Sequence, residues 1–507
     1  MVKNEQDIIE PFIRHNALFA DCMVILDNAS VDETRRIAMS CARELGNVIV
    51  TDNEEFGYAQ AERMTRVLNG CQSVFFADYV LLLDADEFMG APDRAALERA
   101  LARIPPGGVG HMPWQNAVLT PEEAAAAIPD APRCMRHHRT AEAHVFSKAV
   151  LRLDGAYRPD LFIEQGNHDV VATGGARLPA VVLNEIPLLH FPIRSHQQVA
   201  SKAVVGWAAY VAKDPLARHA GEGVQWRDTF DRIVAGDLSP PRLAELSLRY
   251  GWASPDISWA DHVVAWEPPS AYRRVYSSGA PAEPLAVIAR SWERSLSGPQ
   301  DGFAEPLAAG RIDIPPLRFA VDKHAPASVL ELGGGGYLPL LRHLGCADIA
   351  CAEAADSANA DPDPPLDLGR VFDMVICSGA GAAAIGVMAA TAVRHAGGAI
   401  VLAPTESDAP GSEAADGCPI AESLAGFARH GWYPDLVDSL GMRALASWPR
   451  LRRELVLLQR GDRRAGEAAI AALVALDAKA VPFREPGPGL CRYAFSDAAA
   501  PAPQDEG

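Results

Sequence analysis

No stretch of this 507-residue chain approaches the roughly 18 unbroken apolar residues that a membrane-spanning helix takes. The N-terminus is polar and lacks the pattern of a secretory signal. Positive charge is in deficit too: a net charge of −19 argues against nucleic acid or anionic lipid as a general partner. The nine cysteines (Cys22, Cys41, Cys71, Cys134, Cys346, Cys351, Cys377, Cys418 and Cys491) form no Cys-x-x-Cys pair and no zinc spacing. Several sit in apolar runs, so they read as reduced core residues of a cytoplasmic protein. No internal repeat of solenoid period is present. What the chain has is 49% hydrophobic content, enough for real cores, and length for two or three domains.

The most informative stretch is Val80-Leu81-Leu82-Leu83-Asp84-Ala85-Asp86-Glu87-Phe88, read as a short apolar strand ending in three carboxylates. Carboxylates are not kept bare beside a core, and oxygen ligands at this spacing suit Mg²⁺ or Mn²⁺ holding a diphosphate. Caps and loops also produce Asp-x-Asp, so its weight comes from what stands upstream. There Val24 to Leu26 predicts a buried strand with Asp27 at its carboxyl end. Ser30, Asp32 and Thr34 predict turn and N-cap chemistry for the next helix. Ligands bind at strand ends of open α/β sheets, so Asp27, Asp84 and Asp86 are expected in one crevice. The alternative is that Asp27-Asn28 only makes a turn.

Between these landmarks the pattern alternates: a strand at 47–51, a helix at 59–69, the acidic strand, a helix at 91–104 and a strand at 109–114. Such alternation predicts an α/β fold with a mostly parallel sheet. A second block follows: a strand at 144–150, then Gln165-Gly166-Asn167-His168-Asp169, then Leu189-His190-Phe191-Pro192-Ile193-Arg194-Ser195-His196 and a helix carrying Lys202. Neutral imidazoles such as His168 or His190 can ligate Mn²⁺, although a lone histidine is as readily a hydrogen-bonded core residue. Arg194 and Lys202 can neutralise a diphosphate, one through a planar fork and the other as a point charge.

Together, Lys3-Asn4-Glu5, Asp27-Asn28-x-Ser30-x-Asp32-x-Thr34, Asp84-Ala85-Asp86-Glu87-Phe88, His168, His190, Arg194, Ser195 and Lys202 resemble glycosyltransferase family 2, in its bacterial branch. The resemblance implies a GT-A type nucleotide-sugar-binding domain over residues 1–211 and an inverting, metal-dependent sugar transfer. In it Lys3, Asn4, Glu5, Asp27, Asp84, Arg194 and Lys202 would bind a nucleoside-diphosphate sugar. Asp84, Asp86 and His190 would hold Mn²⁺ or Mg²⁺. Lys3-Asn4-Glu5 would end the first strand, yet only Met1 and Val2 precede it, whereas a strand usually takes about five residues; the start codon would lie upstream, or the chain as given would begin inside that strand. The general base would come from a downstream loop, where Glu164 and Asp169 are the candidates and Asp169 is preferred beside His168. The family's usual Glu-Asp pair is missing there.

Residues 212–310, rich in Trp, Arg and Pro, read as a helical extension and linker, either closing over the acceptor side or forming a packing collar. Beyond them Val329-Leu330-Glu331-Leu332-Gly333-Gly334-Gly335-Gly336 is strand, glycine-rich turn and helix, and Glu353 ends the next strand. Phe372 to Ser378, Ala396 to Leu402, Gly431-Trp432-Tyr433 and Glu454 to Leu458 follow in order. This resembles a class I S-adenosylmethionine-dependent methyltransferase, a second Rossmann-like domain over 311–460. The resemblance implies S-adenosylmethionine binding through Glu331, Gly333, Gly335 and Glu353. Tyr337 replaces the third motif glycine, and 379–384 lacks polar groups, so a degenerate domain is equally in view. Residues 461–507 predict one Ala-rich helix and a disordered tail. The expectation is a glycosyltransferase carrying a methyltransferase-like domain. A bifunctional enzyme, or a methyltransferase with a glycan-binding N-terminal part, is the alternative. Saccharide, lipid-linked and protein acceptors all stay open.

Overall fold

The computed structural model describes residues 1–52, 60–126, 128, 130–142, 146–155, 157–213, 229–233, 235–251, 256–267, 272–296, 314–333, 337–352, 366–378, 385–403, 420–446 and 451–479. The chain is mixed α/β and forms two compact units: Met1–Leu68 with Ala77–Gly298, and Asn69–Phe76 with Pro299–Gly507. Among the described residues no helix is long and apolar enough to cross a membrane.

The first unit contains β1 (Met23–Asp27), β2 (Val48–Asp52), β3 (Tyr79–Leu81), β4 (Glu87–Met89), β5 (Val109–Asn116), β6 (His137–Arg139) and β7 (Ser147–Arg152). It continues with β8 (Leu161–Ile163), β9 (Val170–Ala172), β10 (Ala176–Arg177), β11 (Ala180–Val182), β12 (Leu188–His190) and β13 (Val263–Ala265). β1 and β2 are parallel, and Val48 and Ile49 are fully buried, so β2 is covered on both faces. The helix Thr34–Leu45 joins them, burying Ile37, Ala38, Cys41 and Ala42 on one stripe. It stops at Gly46, whose φ of +76° is the left-handed conformation that glycine adopts without penalty. Val2 bridges Asp27 in parallel, its N–H donating to Leu26 O and its carbonyl accepting from Asn28 N, both 2.8 Å. Val2, next to Lys3, therefore lies along β1.

The main sheet has the order β3-β7-β5-β12-β4, with β11 also paired to β5. It is not mostly parallel. β7 lies antiparallel to both β3 and β5, and β4 antiparallel to β12; β5 is parallel to β11 and β12. Strand–helix alternation is silent about a strand that returns antiparallel, as β7 does after two short helices and β6. The acidic stretch is also not one strand, since β3 ends at Leu81 and β4 opens at Glu87, leaving Asp84 and Asp86 in a turn. The helix expected at 91–104 is Arg94–Leu101, capped by Asp93, whose Oδ1 accepts from Ala96 N at 2.7 Å.

The extension belongs to the first unit. β13 pairs with β6, and the helix Pro240–Leu248 buries Leu243, Ala244 and Leu248. The boundary expected at 211 therefore does not separate compact bodies. Residues 225–228 and 234 of the helix expected at 225–235, and the linker at 298–302, lie outside the described residues.

The second unit contains β14 (Ser328–Leu332), β15 (Asp348–Ala352), β16 (Phe372–Ser378), β17 (Ala396–Ala403), β18 (Trp432–Pro434) and β19 (Val456–Arg460). Their order is β15-β14-β16-β17-β19-β18, parallel through β17 and antiparallel at β19 and β18. Apolar runs such as Val375-Ile376, both fully buried, explain why these strands sit inside the sheet. The helix Arg463–Lys479 packs on β18 and belongs to this unit too.

Candidate functional site

The acidic turn is built from the inside out. Glu87 N donates to Asp84 O at 3.1 Å, and Asp84 N to Glu87 Oε2 at 2.8 Å. Glu87 is fully buried, and its Oε1 accepts from Trp114 Nε1 at 2.8 Å. Burial pushes its carboxyl up to about 8, with Lys148 pulling the other way. Lys148, on β7, ion-pairs with Asp84, lies 3.3 Å from Glu87 Oε1 and donates to Gly166 O at 2.6 Å. Asp84 also accepts from Gln60 Nε2 and Asn167 Nδ2, each at 3.1 Å. Burial would raise Asp84, but Lys148 beside it wins and holds it below the usual carboxylate range. These contacts hold Asp84 in place, and they are not those of a metal ligand.

Asp86 faces the other way. Its side chain is 5% exposed; Lys202 Nζ donates to Oδ2 at 2.8 Å, Arg194 Nη1 lies 3.7 Å away and His190 Nε2 lies 3.8 Å from Oδ1. His190 ends β12 opposite Asn116, which ends β5, and its Nδ1–H donates to Asn116 Oδ1 at 2.8 Å. That bond fixes the tautomer and leaves the Nε2 lone pair facing Asp86. Burial lowers the imidazole pKa to about 3, with Asp86 acting against it. Trp114 stacks on the ring at 4.1 Å between centroids. Two electron-pair donors facing each other at 3.8 Å, with no hydrogen to share, suit a divalent cation. Among the described residues no group of three or more His, Cys, Asp or Glu side chains forms a metal cage, so this pair would supply two ligands and substrate oxygens or water the rest.

The depressed imidazole has a consequence for stability. A folded pKa of about 3 lies below the model-peptide value of 6.5, so the unfolded chain takes up this proton first as pH falls. The stabilisation is present above pH 6.5 and lost towards pH 3. The stability gap between the wild type and His190→Gln is expected to shift by about 1.4 kcal/mol per pH unit between pH 6 and 4, against the wild type. Denaturant titrations at stepped pH measure it; a constant gap would show an imidazole already charged in the folded state.

Arg194 is enclosed rather than open to a diphosphate. Its Nε donates to Asp7 Oδ2 at 2.7 Å, its Nη1 to Phe191 O at 3.0 Å, and its Nη2 pairs with Glu5. With its fork committed to these groups, it clamps the N-terminal segment beneath Asp86. Glu5 is buried, and burial raises its carboxyl despite Lys202 and Arg194. Asn4 N donates to Ser30 Oγ at 2.9 Å and Glu5 N to Thr34 Oγ1 at 2.7 Å. Those hydroxyls thus receive the N-terminal segment instead of capping the helix; Asp32 Oδ1 alone takes Thr34 N, at 3.0 Å. Lys3 is half-buried on the same segment. Asp27 is fully enclosed, and its Oδ2 accepts from Ser30 N at 3.1 Å. That is turn chemistry, and it corrects the expectation that Asp27 meets a nucleotide. Asp27 is nonetheless close to the acidic turn, since Val2 bridges it and the Met1 amino group lies where Asp84, Lys148 and Glu87 act on its charge.

The loop 164–169 also reaches this site, through Asn167 and through Gly166 O. Its two candidate bases turn elsewhere: Asp169 and Glu164 both pair with Arg177 on β10. His168 Nδ1 donates to Ser147 O at 2.8 Å, and burial lowers its pKa, so it is a core histidine. Six contributors were not singled out from the sequence: Lys148, Asp7, Gln60, Trp114, Asn116 and Tyr250. Tyr250 comes from the extension and sets its ring edge-on to His190, 5.5 Å between centroids.

In the second unit, Glu331 is fully buried, its Oε1 within reach of Tyr337 N at 3.3 Å and Ser378 Oγ at 3.4 Å. A Cβ on Gly333, where φ is +154°, would stand 2.0 Å from Ser378 Oγ and 2.5 Å from Ser378 O. These residues lock β14 to β16. Gly335, Glu353 and 379–384 lie outside the described residues. No protein-family model and no curated protein matches the chain.

Proposed function

We propose that the first unit moves a sugar from a nucleoside-diphosphate sugar to an acceptor hydroxyl, with Mn²⁺ or Mg²⁺ held by Asp86 and His190. The observation that carries this reading is the 3.8 Å approach of His190 Nε2 to Asp86 Oδ1, with Nδ1 committed to Asn116. When bound, the cation offsets the charge that grows on the departing diphosphate. Lys202 adds a mobile positive charge beside it. Arg194 holds Glu5 and Asp7 so that the anionic pocket keeps its shape. Lys148, Gln60 and Asn167 fix Asp84 where it can accept hydrogen bonds from a ribose or from bound water. Asp169 and Glu164, which share Arg177, are assigned no part in deprotonating the acceptor.

For the second unit the strand order, with its antiparallel final pair, supports a class I methyltransferase-like fold. The contacts of Glu331 and Gly333 are structural, so no step is routed through S-adenosylmethionine. The test of the main reading is nucleoside diphosphate release from a panel of UDP-, GDP- and dTDP-sugars with Mn²⁺. At least one donor is expected to turn over and to stop on chelation; a folded protein that releases nothing from any of them overturns the proposal.

A further inference from the structure

We infer that Lys202 is a resident counter-cation for Asp86, displaced by the arriving divalent metal and freed to meet the diphosphate that accompanies it. The inference rests on the metal reading above and adds an exchange step to it.

A carboxylate that is 5% exposed needs positive charge close by. Among the described residues, three neighbours of Asp86 could supply it. His190 is bonded through Nδ1 to Asn116 and keeps Nε2 3.8 Å from Oδ1, beyond hydrogen-bond distance. Arg194 stays at 3.7 Å, its nitrogens directed to Glu5, Asp7 and the Phe191 carbonyl, and at 1% exposure it has nowhere to go. The contact within hydrogen-bond distance is the Lys202 ammonium, at 2.8 Å from Oδ2 and 3.4 Å from Glu5 Oε1. Its side chain is 44% exposed, on a flexible stem that reaches solvent. Of the two cations at Asp86, one is therefore locked and the other can leave.

A dication between His190 Nε2 and Asp86 Oδ1 would share one carboxylate with that ammonium, and like charges so close repel strongly. The metal wins only by displacing Lys202. Free metal is thereby disfavoured, whereas metal arriving with a diphosphate brings the anion that the released ammonium then pairs with. The site thus selects a metal–diphosphate complex over either component.

The test is Mn²⁺ alone, titrated into the full chain with free Mn²⁺ read by electron paramagnetic resonance. Lys202→Met and Lys202→Gln are expected to bind Mn²⁺ at least tenfold more tightly than the wild type, and Asp86→Asn to abolish binding in each background. Equal affinity in the wild type and both Lys202 variants, still dependent on Asp86, overturns the exchange and leaves the metal site standing. Absence of Mn²⁺ binding in all of these proteins, each folded by circular dichroism, overturns the metal site and with it the sugar-transfer reading.

Discussion

Asp86→Asn is expected to lower nucleoside diphosphate release roughly a thousandfold, about 4 kcal/mol of lost transition-state stabilisation, with little effect on folding. The separation of the two effects follows from the contacts. Arg194 keeps Glu5 and Asp7 as partners, and Lys202 keeps Glu5 at 3.4 Å, so neither cation is stranded by the substitution. The amide retains an acceptor oxygen for Lys202. What disappears is the anionic ligand opposite His190 Nε2. Steady-state release at saturating donor and Mn²⁺ measures the effect, and a variant within tenfold of the wild type rejects Asp86 as a metal ligand. Thermal unfolding of the same variant checks that the fold survives.

Lys148→Met is expected to do the opposite, striking stability first. Lys148 is 1% exposed and stands between Asp84 and the fully buried Glu87. Its removal takes the nearest side-chain cation from the part-buried Asp84 and the fully buried Glu87. Breaking a buried pair in this way costs roughly 3–5 kcal/mol, which lowers the unfolding transition of the first unit by roughly 10 °C. Adding Asp84→Asn and Glu87→Gln removes the two carboxyls left without Lys148 and should recover much of the loss. A drop below about 1 kcal/mol, or no recovery in the triple variant, would show that Lys148 does not hold these carboxylates.

The sequence disclosed those parts of the fold that buried apolar runs write into it. β1, β2 and β14 to β17 fall within a residue or two of their expected places, because buried strands are mostly apolar; β15, a partly exposed edge strand, was placed by its order in the chain. Acidic residues that interrupt such runs are equally visible, which is why Asp84 and Asp86 stood out. Their partners were not legible. Lys148 lies inside Ser147-Lys148-Ala149-Val150, and a strand pattern does not say that a lysine there reaches two carboxylates from an earlier turn. Asp7 looked like one more polar residue near the N-terminus until Arg194 closed on it. Asp27 and Arg194 misled for the same reason: residue type announces a charge, and only the fold tells whether that charge faces a ligand or another side chain. The roles expected of Asp169 and Glu164 depended on a loop whose approach to Asp84 is real but whose carboxylates meet Arg177.

One more consequence lies in Trp114. Its indole N–H is bonded to Glu87 while its ring covers His190, so the acidic turn and the imidazole are joined through one rigid, doubly anchored side chain. Glu87 in turn holds the backbone of Asp84. Conformational entropy at these positions was therefore surrendered when the chain folded. A ligand arriving there meets a preorganised frame, and the barrier to its association lies in stripping water from charged groups rather than in ordering the protein.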